Sequence, residues 1–236
     1  MVNYLCLLGW NDSTEQEIYS VDELISAFSL ERVTKSPAVF DLAKLRWING
    51  QHLRALPQPE IASLVGAHLA EDGVAKSASS PFVDVAAAMV AEKIELVNDA
   101  SPLVRAALDY PLQASLADDD SAKALVDGGG FAPVAKALLD AYEAGEVPDP
   151  AGDDFGAAWK QLAKAIGKSA GAKGKKLFQP LRLATTGRMS GPDIPGQLAV
   201  AALAADHSEL AAVGLPARME ALKAALSKMP EPAATG

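Results

Sequence analysis

Eight basic side chains fall in a stretch of sequence that contains no acidic residue. The stretch covers residues 155–192 and contributes Lys160, Lys164, Lys168, Lys173, Lys175, Lys176, Arg182 and Arg188. The whole chain is acidic, with a formal net charge of −9. Such a protein would normally repel a polyanion, so a purely basic segment indicates a local anionic ligand. The phosphates of a nucleic acid are the ligand that this pattern favours.

The first three of these lysines recur every four residues and therefore share one face of a predicted helix. The opposite face is apolar, with Trp159, Leu162, Ala163 and Ile166. The alternative for these three lysines alone is the solvated face of an amphipathic helix. The glycine-containing basic turn at Lys173, Lys175 and Lys176 moves the interpretation towards phosphate binding.

Arg182 follows a Gln-Pro pair, which predicts that it lies in the first turn of the next helix. At that position, free backbone N–H groups and the helix dipole would help the side chain to hold a phosphate. Gly187, Gly191 and Pro192 then predict a tight loop with few bulky side chains. A base could approach the backbone of such a loop closely.

The sequence offers no catalytic constellation. His52, His68 and His207 lie on separate predicted helices, and Cys6 is the single cysteine, so neither a metal site nor an intrachain disulfide is expected. The spacings of phosphate-binding glycine loops are also missing from the sequence. We therefore predict binding rather than catalysis, with no catalytic residue and no metal ligand.

The composition predicts a mostly α-helical fold. Apolar residues make up 50 % of the chain and aromatic residues only 6 %, with alanine dominating. Helix starts are predicted at the Ser20–Glu23 capping box, at Asp41 and at Ser80-Pro81. Small polar segments at 71–80 and 148–154 predict boundaries between units 1–75, 76–150 and 151–228, with a disordered tail at 229–236. The opening residues have no cap, so Met1 is expected to be an internal methionine of a longer protein.

Several motifs resemble the bacterial type of glutamyl-tRNA synthetase downstream of its catalytic core. They lie in the same order in this chain and extend over nearly all of it: Asn3–Trp10, Glu31–Asp41, Lys44–Gln51, Gly174–Arg182, Thr186-Gly187 and Gly191-Pro192. Two further strings, Gln51–Leu56 and Leu108–Leu116, are more similar to the plastid branch of that family. The resemblance implies a plastid stroma, or otherwise the cytoplasm or a mitochondrion.

This resemblance implies that residues 1–75 are a helical stem-contact region, truncated at its start. An all-α anticodon-binding bundle of two subdomains would follow. The nucleotide-binding part, which handles ATP, Mg and glutamate, would lie upstream of Met1. We therefore expect no cofactor in this chain and no aminoacylation by the chain alone. The implied partner is tRNA-Glu, and neither DNA nor a membrane is expected.

The resemblance also implies roles for individual residues. Arg182 matches an arginine that contacts the anticodon, and Gly191, Pro192 and Ile194 fall in a loop that touches anticodon bases. Lys93 aligns where members strict for tRNA-Glu carry arginine to read the third anticodon base. Since lysine lacks the bidentate fork of arginine, tRNA-Gln is a second expected partner.

The remaining basic residues are predicted to contact tRNA more generally. Lys173, Lys175, Lys176 and Arg188 would serve the anticodon region. Lys35 and Arg46 belong to a second basic group, interleaved with Phe40 and Trp47, that would contact the stem. The alternative for this second group is a solvated helix face whose aromatic residues lie in the core.

Two other functions remain open at this point. The chain could assemble in trans with a separate catalytic half, which predicts that Leu5, Leu8 and Trp10 form an exposed apolar docking edge. It could instead be a helical protein-interaction module that has kept the fold and lost RNA binding. The basic stretch disfavours this module, and RNA binding that does not depend on salt would favour it.

Overall fold

The computed structural model describes residues 1–34 and 39–229, which fold into thirteen α-helices. Two short 3-10 turns, Leu30–Arg32 and Val97–Asp99, lie between them. The helices are α1 (Val2–Leu7), α2 (Val21–Ala27), α3 (Leu42–Arg54), α4 (Gln58–Glu71), α5 (Pro81–Val90), α6 (Ala100–Leu108), α7 (Leu112–Asp118), α8 (Asp120–Asp127), α9 (Phe131–Glu143), α10 (Phe155–Ser169), α11 (Lys175–Thr186), α12 (Ile194–His207) and α13 (Leu215–Leu226). Within the described residues there are only isolated β-bridges and no strands, so the prediction of an all-α fold is confirmed.

The predicted helix starts are present with the expected hydrogen bonds. Ser20 and Glu23 form a capping box, in which each side chain accepts the backbone N–H of the other residue. Asp41 accepts the N–H three residues further on at 3.0 Å, and Ser80 does the same at 3.3 Å. These side chains satisfy N–H groups that have no partner within the helix, which fixes where each helix begins.

Most of the buried apolar side chains form two cores. The first core joins α4, α5 and α6, with Val65, Phe82 and Val104 fully buried at its centre. The second core joins α7 to α13 and is built around residues such as Leu138 and Leu181. Burial of apolar area at about 25 cal/mol per Å² is the main force that holds each set of helices together.

Helix α12 belongs to both cores. Its early residues Ile194 and Leu198 pack in the second core, while Val200 and Ala204 pack in the first. A helix that is apolar on all sides must be surrounded by other elements. The loop that leads into α12 therefore lies next to the junction of the two cores.

The N-terminal residues make a smaller cluster of Trp10, Tyr19 and Leu24. Of the fifteen large apolar residues that the described part of the chain exposes, eleven fall within the first 42 positions. Leu5 is 53 % exposed, as predicted for a docking edge, but Leu8 is half-buried and Trp10 is only 3 % exposed. The prediction for Trp10 is wrong, because its ring packs against Tyr19 and Phe28.

The proposed division of the chain into units stays a prediction. Val74 and Ala75, at the end of the first proposed unit, are buried in the first core. The tail predicted at 229–236 lies outside the described residues except for Met229. Among the described helices, none is long and apolar enough to span a membrane.

Candidate RNA-binding surface

The basic stretch folds into α10, a turn at 170–174, α11 and the loop at 187–193. In α10 the predicted division of faces is confirmed. Trp159, Leu162, Ala163 and Ile166 are buried. The three lysines at four-residue spacing are exposed on the other face. They therefore present their charges to solvent instead of bridging neighbouring helices.

The turn between α10 and α11 brings the remaining lysines next to this face. Gly171 and Gly174 have φ angles of 63° and 54°, in the left-handed region that favours glycine. Gly167 permits close packing beneath the turn, because a Cβ at this position would lie 2.7 Å from Leu177 Cδ2 and 2.8 Å from the Ala172 carbonyl oxygen. The turn is thus held tightly against the core and leaves its charged side chains outside.

Lys173, Lys175 and Lys176 are all exposed. Lys175 and Lys176 occupy the first turn of α11, whose N-cap is Gly174. Free backbone N–H groups and the positive end of the helix dipole lie at the same place. The phosphate-binding argument based on a helix start therefore applies to these two lysines.

Arg182 does not lie in the first turn of a helix, as its sequence position suggested. α11 begins at Lys175, so Arg182 is the eighth helical residue and Pro180 lies inside the helix. The half-buried guanidinium donates from Nη1 to the carbonyl oxygen of Pro192 at 2.6 Å. Burial lowers the pKa of Arg182, while nearby Asp193 raises it. The argument from free N–H groups and the helix dipole therefore does not apply to Arg182, which offers a ligand only its own guanidinium donors.

The loop at 187–193 is held from several sides. Gly187 has a φ of 68°, and a Cβ there would lie 2.8 Å from the backbone nitrogen of Leu112, so a larger residue would clash. The Ser115 hydroxyl donates to the Gly187 carbonyl at 2.6 Å. At the other end of the loop, Asp193 caps α12 by accepting from the Gly196 N–H at 2.8 Å. The loop therefore presents a fixed backbone.

The predicted loop residues differ in their accessibility. Gly191 is exposed and has a φ of 134°, whereas Pro192 and Ile194 are buried. The Pro192 carbonyl accepts hydrogen bonds from both Arg182 and Gln197. Of these three predicted residues, only Gly191 is exposed to a ligand, and the two buried residues lie beneath the loop surface.

Arg188 is held by the protein itself. Its Nη2 atom pairs with Asp109 Oδ2 at 2.9 Å. Its Nε is buried and has no partner among the described residues. A phosphate that contacts Arg188 would have to share the guanidinium with Asp109, which makes Arg188 a weaker candidate than the exposed lysines.

Lys93 lies in the turn after α5 and is exposed. The end of α5 packs on the start of α12, because Met89 Cγ would lie 2.9 Å from a Cβ added at Gly196. Within the described residues, the Lys93 side chain makes no hydrogen bond or ion pair, so its ammonium group is free to meet a ligand.

The two residues predicted to contact a stem have different outcomes. Lys35 lies outside the described residues. Arg46 pairs with Glu95 at 3.2 Å and with Asp99 at 3.0 Å, so two carboxylates already compensate its charge. These pairs join α3 to the segment after α5, which gives Arg46 a structural role in this conformation.

Sequence reasoning missed the buried Arg218 of α13. Its side chain is fully buried and donates to the carbonyl oxygens of Val213, Thr185 and Ala107 at 2.7, 3.0 and 2.6 Å. Two of these carbonyls belong to the last turns of α6 and α11, where the helix dipole favours a cation. Burial lowers the pKa of Arg218 to about 10, so it is still charged at neutral pH.

Arg218 also lies over the ring of Tyr110, with Cζ 5.4 Å from the ring centroid. The Tyr110 hydroxyl donates to the Ala184 carbonyl at 2.6 Å, and burial raises its pKa. The end of α11 is thus fixed by the buried Arg218 and the partly buried Tyr110, which come from other segments. This position matters because the 187–193 loop begins there.

The fold is that of an anticodon-binding module. The chain belongs to the anticodon-binding domain family, which it matches over residues 60–202. It is 37 % identical to the glutamate–tRNA ligase of Heliobacterium modesticaldum over 198 residues, covering 82 % of this chain and 38 % of that protein. The corresponding enzyme of Alkaliphilus metalliredigens is 35 % identical over 206 residues, covering 83 % and 38 %. The chain thus spans about two fifths of the length of these relatives.

Solved structures of the same class share the fold. A glutamate tRNA ligase from Elizabethkingia meningosepticum superposes with a TM-score of 0.63 at 22 % identity, over 97 % of this chain and 41 % of that one. A glutamate-tRNA synthetase from Elizabethkingia anophelis gives the same TM-score at 23 % identity. At this level of identity the likeness establishes the all-α architecture.

Proposed function

We propose that this chain is the tRNA-binding part of a glutamate–tRNA ligase and that it holds the anticodon of tRNA-Glu. The family match and the names of the relatives support the class of ligand. The single observation that carries the proposal is the exposed lysine surface of α10, the turn and α11, which ends at Arg182 and the loop at 187–193.

This geometry suits an unpaired stretch of RNA. Bases in an anticodon loop can be splayed out and contacted on their edges, while basic side chains hold the phosphates. The lysines supply charge along one side of the surface. The fork of Arg182 and the fixed backbone at Gly191 supply directed groups at its end. Charge therefore accounts for affinity, and the loop accounts for reading of bases.

The test is binding of tRNA-Glu, tRNA-Gln and an unrelated tRNA to this chain across a salt series. Affinity should fall steeply with salt because phosphate contacts release counterions. Lys175→Ala should reduce the slope of log K against log salt by about 1. Lys136→Ala is the matched control, since Lys136 is exposed and already paired with Asp140 of its own helix α9. Absence of salt-dependent binding would contradict the proposal and favour a protein-interaction module.

The relative affinity for tRNA-Gln belongs to the same proposal. Lys93 keeps a positive charge at the position that the resemblance assigns to the third anticodon base, but lysine cannot make two parallel hydrogen bonds to one base. We therefore infer binding of both tRNA-Glu and tRNA-Gln, with weak discrimination between them. A strong preference for tRNA-Glu in the wild-type chain would overturn this inference and leave the anticodon-binding proposal intact.

A second proposal concerns the exposed apolar residues among the first 42 positions. Apolar residues that form an exposed patch mark a contact surface. The proposed partner is the part of the ligase that handles ATP, Mg and glutamate, which would pack on these residues. Leu5→Glu should abolish co-elution of the chain with a catalytic fragment of the Heliobacterium enzyme. Leu64→Glu, an exposed position on α4, is the control. Equal co-elution of both variants would exclude the N-terminal face as the contact.

The last part of the proposal is that the protein is located in a plastid. It is supported by the two strings at 51–56 and 108–116, while the relatives named above are bacterial. Fractionation of the source cells with an antibody to this chain tests it. Recovery outside plastids would refute this location without affecting the RNA-binding proposal.

A further inference from the structure

Phe178 is a large apolar side chain that the fold does not use. It is 55 % exposed, more than any other large apolar residue described between positions 43 and 229. Its neighbour Leu177 and the next-turn residue Leu181 are buried and provide the contacts of α11 with the second core. The stability of the core therefore gives no reason for an aromatic ring at Phe178.

The residues around Phe178 are cationic. Lys175, Phe178 and Arg182 are spaced at i, i+3 and i+7, so they share one face of α11. On its other side, Phe178 lines a groove with Lys164, Lys168 and Lys173. The aromatic ring thus lies within the basic surface itself.

The floor of this groove is made largely of small residues. Gly167, Gly171, Ala172 and Gly174 line it beside Phe178. A Cβ added at Gly171 or Gly174 would meet no atom within 4 Å, so the space above the backbone there is open. A flat group could lie against the ring without meeting a bulky side chain.

We propose that Phe178 is a platform on which one unpaired RNA base stacks, with the flanking lysines holding the adjacent phosphates. The ring offers a π face to any base, and the surrounding positive charge selects a polyanion over an apolar or basic partner. This inference rests on the proposed RNA-binding function and adds a contact to it. The anticodon-loop RNA is the occupant to which the charge complementarity points.

Phe178 and Arg182 are close enough along α11 to contact adjacent nucleotides of one RNA strand. Four helical residues span about 6 Å along the axis of α11. Arg182 lies at the loop end of this face, where its Nη1 contacts Pro192. A base stacked on Phe178 would therefore lie beside the nucleotide that reaches Arg182 and Gly191. Stacking would fix the path of the strand, and the loop would contact its base edges.

The experiment compares Phe178→Leu and Phe178→Trp in the full chain, with a tRNA-Glu anticodon stem-loop RNA as the probe. Leucine keeps apolar area but has no π face, so affinity should fall about fivefold or more. Tryptophan should retain the affinity of the wild type. The slope of log K against log salt should be unchanged in both variants, because no phosphate contact is lost. Phe28→Leu, at an exposed ring outside the basic surface, is the matched control.

Three results would overturn the inference. If Phe178→Leu binds as tightly as the wild type, the stacking contact does not exist and the RNA-binding proposal stands. If Phe178→Leu reduces the slope of log K against log salt as Lys175→Ala does, Phe178 acts by positioning the neighbouring lysines and not by stacking. If the wild-type chain shows no salt-dependent binding, the proposed function and this inference fail together. Circular dichroism of each variant checks that α11 is intact.

Discussion

Arg182 and Pro192 are joined by a 2.6 Å hydrogen bond between the guanidinium Nη1 and the carbonyl oxygen. The bond ties the third turn of α11 to the residue just before the cap of α12. Gln197 donates to the same oxygen at 2.8 Å, so two side chains fix this point of the loop. The described residues supply no second hydrogen-bond partner for the Arg182 side chain, whose other donors can face a ligand.

Replacing Arg182 with alanine should weaken binding of the tRNA-Glu anticodon stem-loop by about 1–3 kcal/mol, because directed contacts to a base are lost. Arg182→Lys should recover only part of the loss, since lysine keeps the charge without the fork. Gln197→Ala is the control for loop anchoring, because it removes a donor to Pro192 and no charge. Equal losses in Arg182→Ala and Gln197→Ala would show that the arginine acts only by holding the loop.

Replacing Lys93 with arginine should increase the preference for tRNA-Glu over tRNA-Gln. An arginine could make a bidentate contact worth about 1–3 kcal/mol of discrimination to the base that distinguishes the two anticodons. The measurement is the ratio of the two dissociation constants at fixed salt. Lys173→Arg tests whether any added guanidinium has this effect, and a similar change in the ratio would remove Lys93 from the site.

Substitution of two glycines in α10 should have opposite effects on stability. Gly167→Ala places a methyl group 2.7 Å from Leu177 Cδ2, and overpacking of this kind costs about 1–3 kcal/mol. Gly156→Ala meets no atom within 4 Å and should stabilise the helix by about 0.5–1 kcal/mol. Urea unfolding of both variants checks the pair. A Gly167→Ala variant as stable as the wild type would mean that the turn after α10 can move aside.

Arg218→Met should lower the free energy of unfolding by about 3–5 kcal/mol, because buried carbonyl oxygens lose their donors and the space is imperfectly filled. The comparison is Arg105→Met, which breaks an exposed pair with Asp72 and should cost about 0–1 kcal/mol. Urea denaturation followed by circular dichroism measures both. Similar costs for the two variants would show that the carbonyl groups around Arg218 are satisfied in another way.

Asp99 should contribute to stability in a pH-dependent manner. Burial alone would raise its pKa, but the N–H groups of Leu96 and Glu95, together with Arg46, hold the pKa below its usual value of 3.8. The unfolded chain therefore binds the proton more readily, and this contribution, complete above about pH 4, is lost as the pH falls through the folded value. Asp99→Asn should flatten the loss of stability between about pH 4 and pH 2. An unchanged pH profile of stability in Asp99→Asn would show that these hydrogen bonds do not stabilise the carboxylate in the folded chain.

Local sequence patterns correctly predicted those features that are formed within a single helix. The four-residue spacing of the α10 lysines sets their common face regardless of the rest of the fold. The caps at Ser20, Asp41 and Ser80 depend only on hydrogen bonds within three residues. These features were confirmed because they involve no distant partner.

The start of α11 was predicted incorrectly because proline usually favours the first turn of a helix. Here Pro180 lies inside the helix, which begins after Gly174. The φ of Gly174 is 54°, and the sequence pattern did not predict this conformation. Arg218 was missed for a different reason. Its acceptors come from α6, α11 and the loop before α13, so only the assembled fold distinguishes it from an exposed arginine.

The placement of α12 in both cores has a consequence for folding cooperativity. Loss of the second core would expose Ile194 and Leu198, and the same helix could not then keep Val200 and Ala204 in place for the first. The two cores should therefore melt in one transition, and the amide protons of α12 should exchange only when the whole molecule opens. The loop at 187–193 is consequently anchored to the last part of the protein to unfold.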